Sequence, residues 1–234
     1  MKGVMSVNKR LLAVECLKTL KGTMTFRELS KEVGLPAGVL NRYINGMVLP
    51  KPSRAVTLLN LFEKKFFRNY LIKETYFKKS KFLVTSTILS QPLLLKFIAS
   101  HASHYFPEKI DKVFTAAVDG IPLAIEVADF IGANAVYAKQ TQEFTFSGHY
   151  VSQMPQGERP LETPFYLPKD LLHKNEKVLI VDDVIRGGRT MKALISICEQ
   201  AKADVVGIYS LFIDKNCIKE LGKYKVGYLM TIPQ

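Results

Sequence analysis

The chain has 234 residues, 47% apolar and 23% charged, which excludes a disordered protein and leaves room for two modest domains. Its net charge is +12, and the charge is uneven: residues 1–80 hold 16 Lys and Arg against 5 Asp and Glu, whereas residues 81–234 hold 17 against 16, so a polyanion partner is expected for the first part only. Three distant cysteines and four scattered histidines exclude a disulfide framework and a zinc site, and no run reaches the ~20 apolar residues of a membrane span.

The opening segment, Met1 to Met5, lacks the apolar run of a signal peptide, so a cytoplasmic protein with buried free thiols and no membrane partner is expected. Asn8 to Leu20 reads as a helix, with Leu11, Leu12, Cys16, Leu17 and Leu20 recurring near the 3.6 period and Gly22 ending it. Thr25-Phe26-Arg27-Glu28 reads as a capping box. The short helix it opens turns Leu29 and Val33 inward and stops at Gly34, where a positive φ comes easily. Leu35 enters the core, and a third helix from about Pro36 to Ile44 is closed by Asn45-Gly46. Pro50 and Pro52, with Ser53 as N-cap, start the next helix. From residue 54 to about 79 the helix carries too many apolar groups for one narrow stripe, Phe62, Phe66 and Phe67 among them, as a buried linker helix or a dimer contact would.

Two short helices hinged at a glycine form a helix-turn-helix pattern. The run from Phe26 to Leu35 and on through Leu40 to Gly46 resembles the phage-repressor class of DNA-binding domains. That resemblance implies a third helix seated in the major groove of double-stranded operator DNA. Val39, Leu40, Tyr43 and Ile44 then pack inward, while Ala37, Gly38, Asn41 and Arg42 face the bases. Lys51 and Arg54 suit phosphate contacts, which position without specifying. Paired half-sites imply a homodimer or a higher even oligomer.

From Lys81 onward strands alternate with helices: strands at Val113–Val118, Ala135–Ala138, Lys177–Val181 and Val205–Phe212, helices at Pro122–Phe130 and Met191–Ala201. The alternation predicts a parallel sheet with helices on both faces. The expected organisation is an all-α helix-turn-helix domain with a linker helix over 1–80, followed by an α/β ligand-sensing domain over 81–234.

The most specific signal runs from Val178 to Thr190. An apolar strand ends in Asp182 and Asp183, and the Gly-rich turn Ile185-Arg186-Gly187-Gly188-Arg189-Thr190 leads straight into a helix. Carboxylates at a strand's end can accept from ribose hydroxyls, and backbone N–H groups at a helix start can hold a 5′-phosphate. An Asp pair could instead hold a metal, as in response-regulator-like or haloacid-type sites, but those need no Gly-Gly turn.

This run resembles the phosphoribosyl pyrophosphate motif of type I phosphoribosyltransferases. Asp119-Gly120-Ile121-Pro122-Leu123-Ala124 matches the pyrophosphate loop of that family, and Lys139 follows the next strand where the family commonly has a basic residue. The resemblance implies ligand contacts from Val118, Asp119, Gly120 and Lys139 at the pyrophosphate end, from Asp182 and Asp183 at the ribose, and from Ile185 to Thr190 at the 5′-phosphate. With a DNA-binding domain in front, the chain is similar to purine-operon repressors and to archaeal fusions of a helix-turn-helix with this domain.

What the resemblance implies is a transcriptional regulator with phosphoribosyl pyrophosphate or a nucleotide as effector, bound with or without Mg²⁺. No residue is assigned a catalytic role and no metal site is assigned. The alternative is an active phosphoribosyltransferase that makes a nucleoside monophosphate from a base, and a weaker one is an RNA-binding attenuation regulator. Two departures favour the regulator. No Lys or Arg lies between Gln140 and Gln156, where catalytic members carry a mobile loop that often supplies cations. Cys217 stands where xanthine-type members place an aromatic against the purine.

Overall fold

The computed structural model describes residues 2–75, 85–155, 158 and 161–232. They form two compact units, Met1–Phe97 and Ile98–Gln234. The boundary predicted at 80/81, and Lys78, Lys79 and Arg159, lie outside the described residues.

The first unit is helical: α1 (Lys2–Thr23), α2 (Phe26–Val33), α3 (Ala37–Ile44), α4 (Pro52–Phe62), a π-helical turn (Glu63–Phe67), α5 (Arg68–Thr75) and α6 (Ser86–Leu89), with the first part of α7 (Pro92–Tyr105). Its core gathers Leu17, Leu20, Leu29, Leu40, Leu58 and Phe62, all nearly inaccessible. The capping box forms in full, the Thr25 hydroxyl accepting from the Glu28 N–H at 3.3 Å and the Glu28 carboxylate from the Thr25 N–H at 2.7 Å. Gly34 sits at φ 67 and closes α2.

Two expectations about helix ends are corrected. Gly22 does not end α1, which runs on to Thr23; a lone glycine costs a helix only about 1 kcal/mol and need not stop it. Lys51, not Ser53, caps α4, because Pro52 takes the first helical position, where its missing N–H is harmless. The surplus of apolar groups after residue 54 is resolved by the π turn. Its wider i→i+5 period brings Phe62 and Phe67 onto one side, with ring centroids 6.3 Å apart and both against Phe97 at 5.2 and 4.5 Å.

The second unit is α/β. Strands β1 (Lys112–Ala116), β2 (Asn134–Ala138), β5 (Lys177–Ile185), β6 (Asp204–Ile213) and β7 (Val226–Thr231) form one sheet in the order β2-β1-β5-β6-β7, every neighbour pair parallel. Helices α8 (Gly120–Ile131), α9 (Arg189–Ala201) and α10 (Lys215–Glu220) connect them. Phe114, Ala116, Val178 and Ile180 share a core with Met191, Leu194 and Ile197 of α9. Side chains alternate along a strand, so Val113 and Leu179 turn to the opposite face, and they too are buried. A short antiparallel pair, β3 (His149–Val151) with β4 (Tyr166–Pro168), was not anticipated, being too brief to show a period.

The strand ends matter for function. β1 stops at Ala116 rather than Val118: the Ala117 N–H still reaches the Ala138 carbonyl at 2.8 Å, after which the Ile121 N–H turns back to the Val118 carbonyl at 3.1 Å. The Ala117–Val118 peptide is cis. β5 runs past Val181 to Ile185, because β6 stays beside it through Ile185↔Ile213. Asp182 and Asp183 are therefore fixed within the sheet rather than hanging from a loop.

Candidate functional site

The parallel register places Ala116, Ala138 and the Asp182-Asp183 pair side by side at the carboxyl edge of three adjacent strands. In parallel α/β sheets this edge is where ligands sit. Val118 and Asp119 are exposed there, Val118 at 76%. Gly120 opens α8 and is buried against Thr115 and the Asp182 carboxylate, so closely that a Cβ would run into the Thr115 hydroxyl. Thr115 was not singled out from the sequence, because a lone Thr in an apolar strand carries no signal.

Asp183 is buried and Asp182 half-buried. The Asp182 carboxylate accepts from the Asp183 N–H at 3.0 Å. Burial first, and the neighbouring Asp183 charge second, push the Asp182 carboxyl up to about 8, so near neutrality it is largely protonated. A protonated Asp182 beside Asp183 offers both a donor and acceptors, a pairing suited to vicinal hydroxyls.

The turn after β5 is stitched from beneath. The Asp214 N–H donates to the Ile185 carbonyl at 2.8 Å, and the Cys217 thiol donates to the Arg186 carbonyl at 3.0 Å. Gly188, at φ 65, caps α9, a backbone state that favours glycine. α9 therefore starts directly at the end of this turn, and the first N–H groups of a helix have no acceptor within the helix itself. Arg186, Gly187 and Arg189 are exposed around this turn.

Lys139 follows β2 and is bridged by its own backbone to Tyr166, with N–O distances of 3.0 and 2.7 Å. Its ammonium forms an ion pair with the Glu143 carboxylate. Glu143 was not foreseen; the segment between it and Lys139 is not helical, so their four-residue spacing carried no signal. Cys217, expected where an aromatic meets a purine, is 2% exposed with its thiol turned to the Arg186 carbonyl in the turn after β5. Burial raises that thiol's pKa. Among the described residues no three His, Cys, Asp or Glu converge on a metal position.

In the helical unit, Ala37, Gly38, Asn41 and Arg42 are all exposed on one face of α3, opposite buried Leu40. Asn41 accepts from the Asn45 amide at 3.0 Å. Lys51 is exposed at the start of α4, and Arg54 is half-buried one turn on. No helix among the described residues is long and apolar enough to cross a membrane.

A family model for the phosphoribosyl transferase domain matches residues 84–232. A probable purine biosynthesis transcriptional regulator from Streptococcus pneumoniae is 35% identical over 138 residues, covering 57% of this chain and 49% of that protein. A xanthine phosphoribosyltransferase from Bifidobacterium adolescentis is 33% identical over 112 residues, 47% of this chain and 58% of that one. The chain thus spans about half the length of the curated relatives it matches. Among solved structures, the adenine phosphoribosyltransferase of Trypanosoma brucei, in complex with AMP, pyrophosphate and ribose-5-phosphate, superposes with a TM-score of 0.58 at 14% identity, over 71% of this chain and 79% of that one. The enzyme of the same name from Rhodothermus marinus gives 0.56 at 24% identity, over 64% and 86%. Likeness at such identities shows the fold alone.

Proposed function

The chain belongs to the phosphoribosyltransferase domain family, and from that premise we propose that it is a DNA-binding transcriptional regulator whose α/β unit senses a phosphoribosyl ligand. In this reading the turn from Ile185 to Thr190 holds the 5′-phosphate, Asp182 and Asp183 meet the ribose hydroxyls, and Val118, Asp119, Gly120 and Lys139 face the pyrophosphate end. Mg²⁺ would enter as part of a pyrophosphate ligand, its remaining charge met by the carboxylates of Asp119 and Asp183. The helical unit acts as a helix-turn-helix, with Ala37, Gly38, Asn41 and Arg42 at the bases and Lys51 and Arg54 at the phosphates.

The observation that carries the reading is the pairing of a basic helical segment, with α3 exposed along the face of Ala37, Gly38, Asn41 and Arg42, and a ligand site whose neighbouring loop supplies no cation. Transfer at an anomeric carbon needs stabilisation of the departing pyrophosphate. Between Lys112 and Arg159 the sequence has one Lys or Arg, Lys139, and Glu143 already neutralises it. A sensor gains from holding its ligand intact, because occupancy then reports concentration through differential affinity for two conformations. Relatives with regulator names support this reading.

The intact Asp pair and Gly-rich turn favour a second reading, an active transferase forming a nucleoside monophosphate, and the xanthine phosphoribosyltransferase relatives support it. Calorimetric titration with phosphoribosyl pyrophosphate, nucleoside monophosphates and free bases tests the ligand. A DNA-binding assay with and without that ligand tests the regulator: a saturable change in DNA affinity is expected, and ligand binding with no change in DNA affinity would refute it.

A further inference from the structure

Glu143 lies on the segment that links β2 to β3, and its carboxylate pairs with the Lys139 ammonium at the strand's carboxyl end. Both partners are only part-buried, the Lys139 side chain at 36% and Glu143 at 32% of full exposure. The backbone of Lys139 is held by its bridge to Tyr166, and its ammonium lies 5.4 Å from the Tyr137 ring centroid, while its partner sits on the linking segment. The strand ends beside it also carry Asp119 and Asp183. With Lys139 occupied, the described residues at the ends of β1 and β2 offer no uncommitted cationic side chain.

The other end of the site carries more positive than negative side chains, with Glu220 the acidic group close to Gly188. Arg186 and Arg189 flank the phosphate turn, and the α9 N-terminus adds its dipole. The two ends therefore make different electrostatic demands on a ligand. A nucleoside 5′-monophosphate places its charge at the cationic end alone. A ligand with pyrophosphate on the anomeric carbon must also bring charge to the end where Glu143 already pairs with the cation.

We propose that Glu143 is a specificity-determining residue of the phosphoribosyl site: it competes with a ligand's pyrophosphate for Lys139 and so biases the site toward nucleoside 5′-monophosphates. This rests on the site reading given above. Pyrophosphate binding requires the Lys139–Glu143 pair to open, which couples occupancy to the conformation of the segment after β2. Monophosphate binding leaves the pair closed. An exposed ion pair is worth up to about 1 kcal/mol, so the bias amounts to about five-fold.

The test is calorimetric titration of the full chain with phosphoribosyl pyrophosphate and with AMP and GMP, both in Mg²⁺, for the wild type, Glu143→Gln and Lys139→Gln. Glu143→Gln should tighten phosphoribosyl pyrophosphate by about five-fold and leave the monophosphates within error. Lys139→Gln should weaken phosphoribosyl pyrophosphate alone. Equal shifts for both ligand classes in Glu143→Gln, or none, overturn the proposal. A third protein, Asp182→Asn with Asp183→Asn, separates the two readings. If it loses ligands that Glu143→Gln does not discriminate, the site stands and the role of Glu143 falls. If the wild type binds neither class, both fall together.

Discussion

The Cys217 thiol donates a hydrogen bond to the Arg186 carbonyl at 3.0 Å, tying the helix after β6 to the turn after β5. A position expected from the xanthine-type pattern to meet a base instead lies beneath the turn after β5. Cys217→Ala should therefore weaken a phosphate ligand by several-fold, about 1 kcal/mol for one lost hydrogen bond, whereas Cys217→Ser should largely restore it. Calorimetry on both variants checks this, and loss in Ala without rescue by Ser would assign the effect to packing.

The raised Asp182 carboxyl makes stability depend on pH. In the unfolded chain it ionises near ~4, whereas in the fold it stays protonated up to about 8. Between those limits the folded state binds the extra proton, so this contribution is full below the lower value, declines through the window and is gone above the upper one. Thermal melts of the ligand-free protein should lose stability from about pH 5 to about pH 8.5, and Asp182→Asn should flatten that slope. A wild-type profile that rises over this range would contradict the assignment.

Gly120 admits no side chain, because a Cβ would strike the Thr115 hydroxyl. Gly120→Ala should destabilise the α/β unit by about 1–3 kcal/mol, the usual cost of overpacking. Gly120→Ala combined with Thr115→Ala should recover part of it. Denaturant titration of these two variants and of Thr115→Ala alone reads the coupling, and additive losses would show that the clash is relieved elsewhere.

On the helical unit, DNA affinity of the full chain should fall steeply with salt, as it does when phosphates release counterions. Arg42→Ala and Asn41→Ala should narrow the gap between specific and random duplexes. Lys51→Ala should weaken every sequence alike and lower the salt slope by about 1. Binding that ignores salt, or an Arg42 variant with unchanged preference, would remove α3 from the interface.

Nucleotide formation should stay far below ~1 s⁻¹, the low end of ordinary enzymes, with phosphoribosyl pyrophosphate, Mg²⁺ and each of adenine, guanine, hypoxanthine, xanthine, uracil and orotate. Turnover at or above that rate on any base would make the transferase reading the better one.

Some of this was legible in the chain itself. The capping box at Thr25, the positive-φ glycine at Gly34, the sheet-forming runs and the Asp-Asp then Gly-Gly sequence after Val181 are local: neighbouring residues satisfy each other's backbone groups or impose a period, so sequence suffices. Extension of β5 through the Asp pair was not legible, because it depends on β6 remaining in register beside it. Nor were the contact of Thr115 with Gly120, the turning of Cys217 onto Arg186 across 31 positions, or the capture of Lys139 by Glu143. The first two join residues whose spacing follows no helical or strand period. The Lys139–Glu143 spacing is helical, but the segment between them is not, so only the folded backbone brings the charges together. The sequence thus determined which chemistry lies at the carboxyl edge of the sheet, and tertiary packing decided which of those groups are buried, paired or left for a ligand, because burial and pairing are set by neighbours distant along the chain.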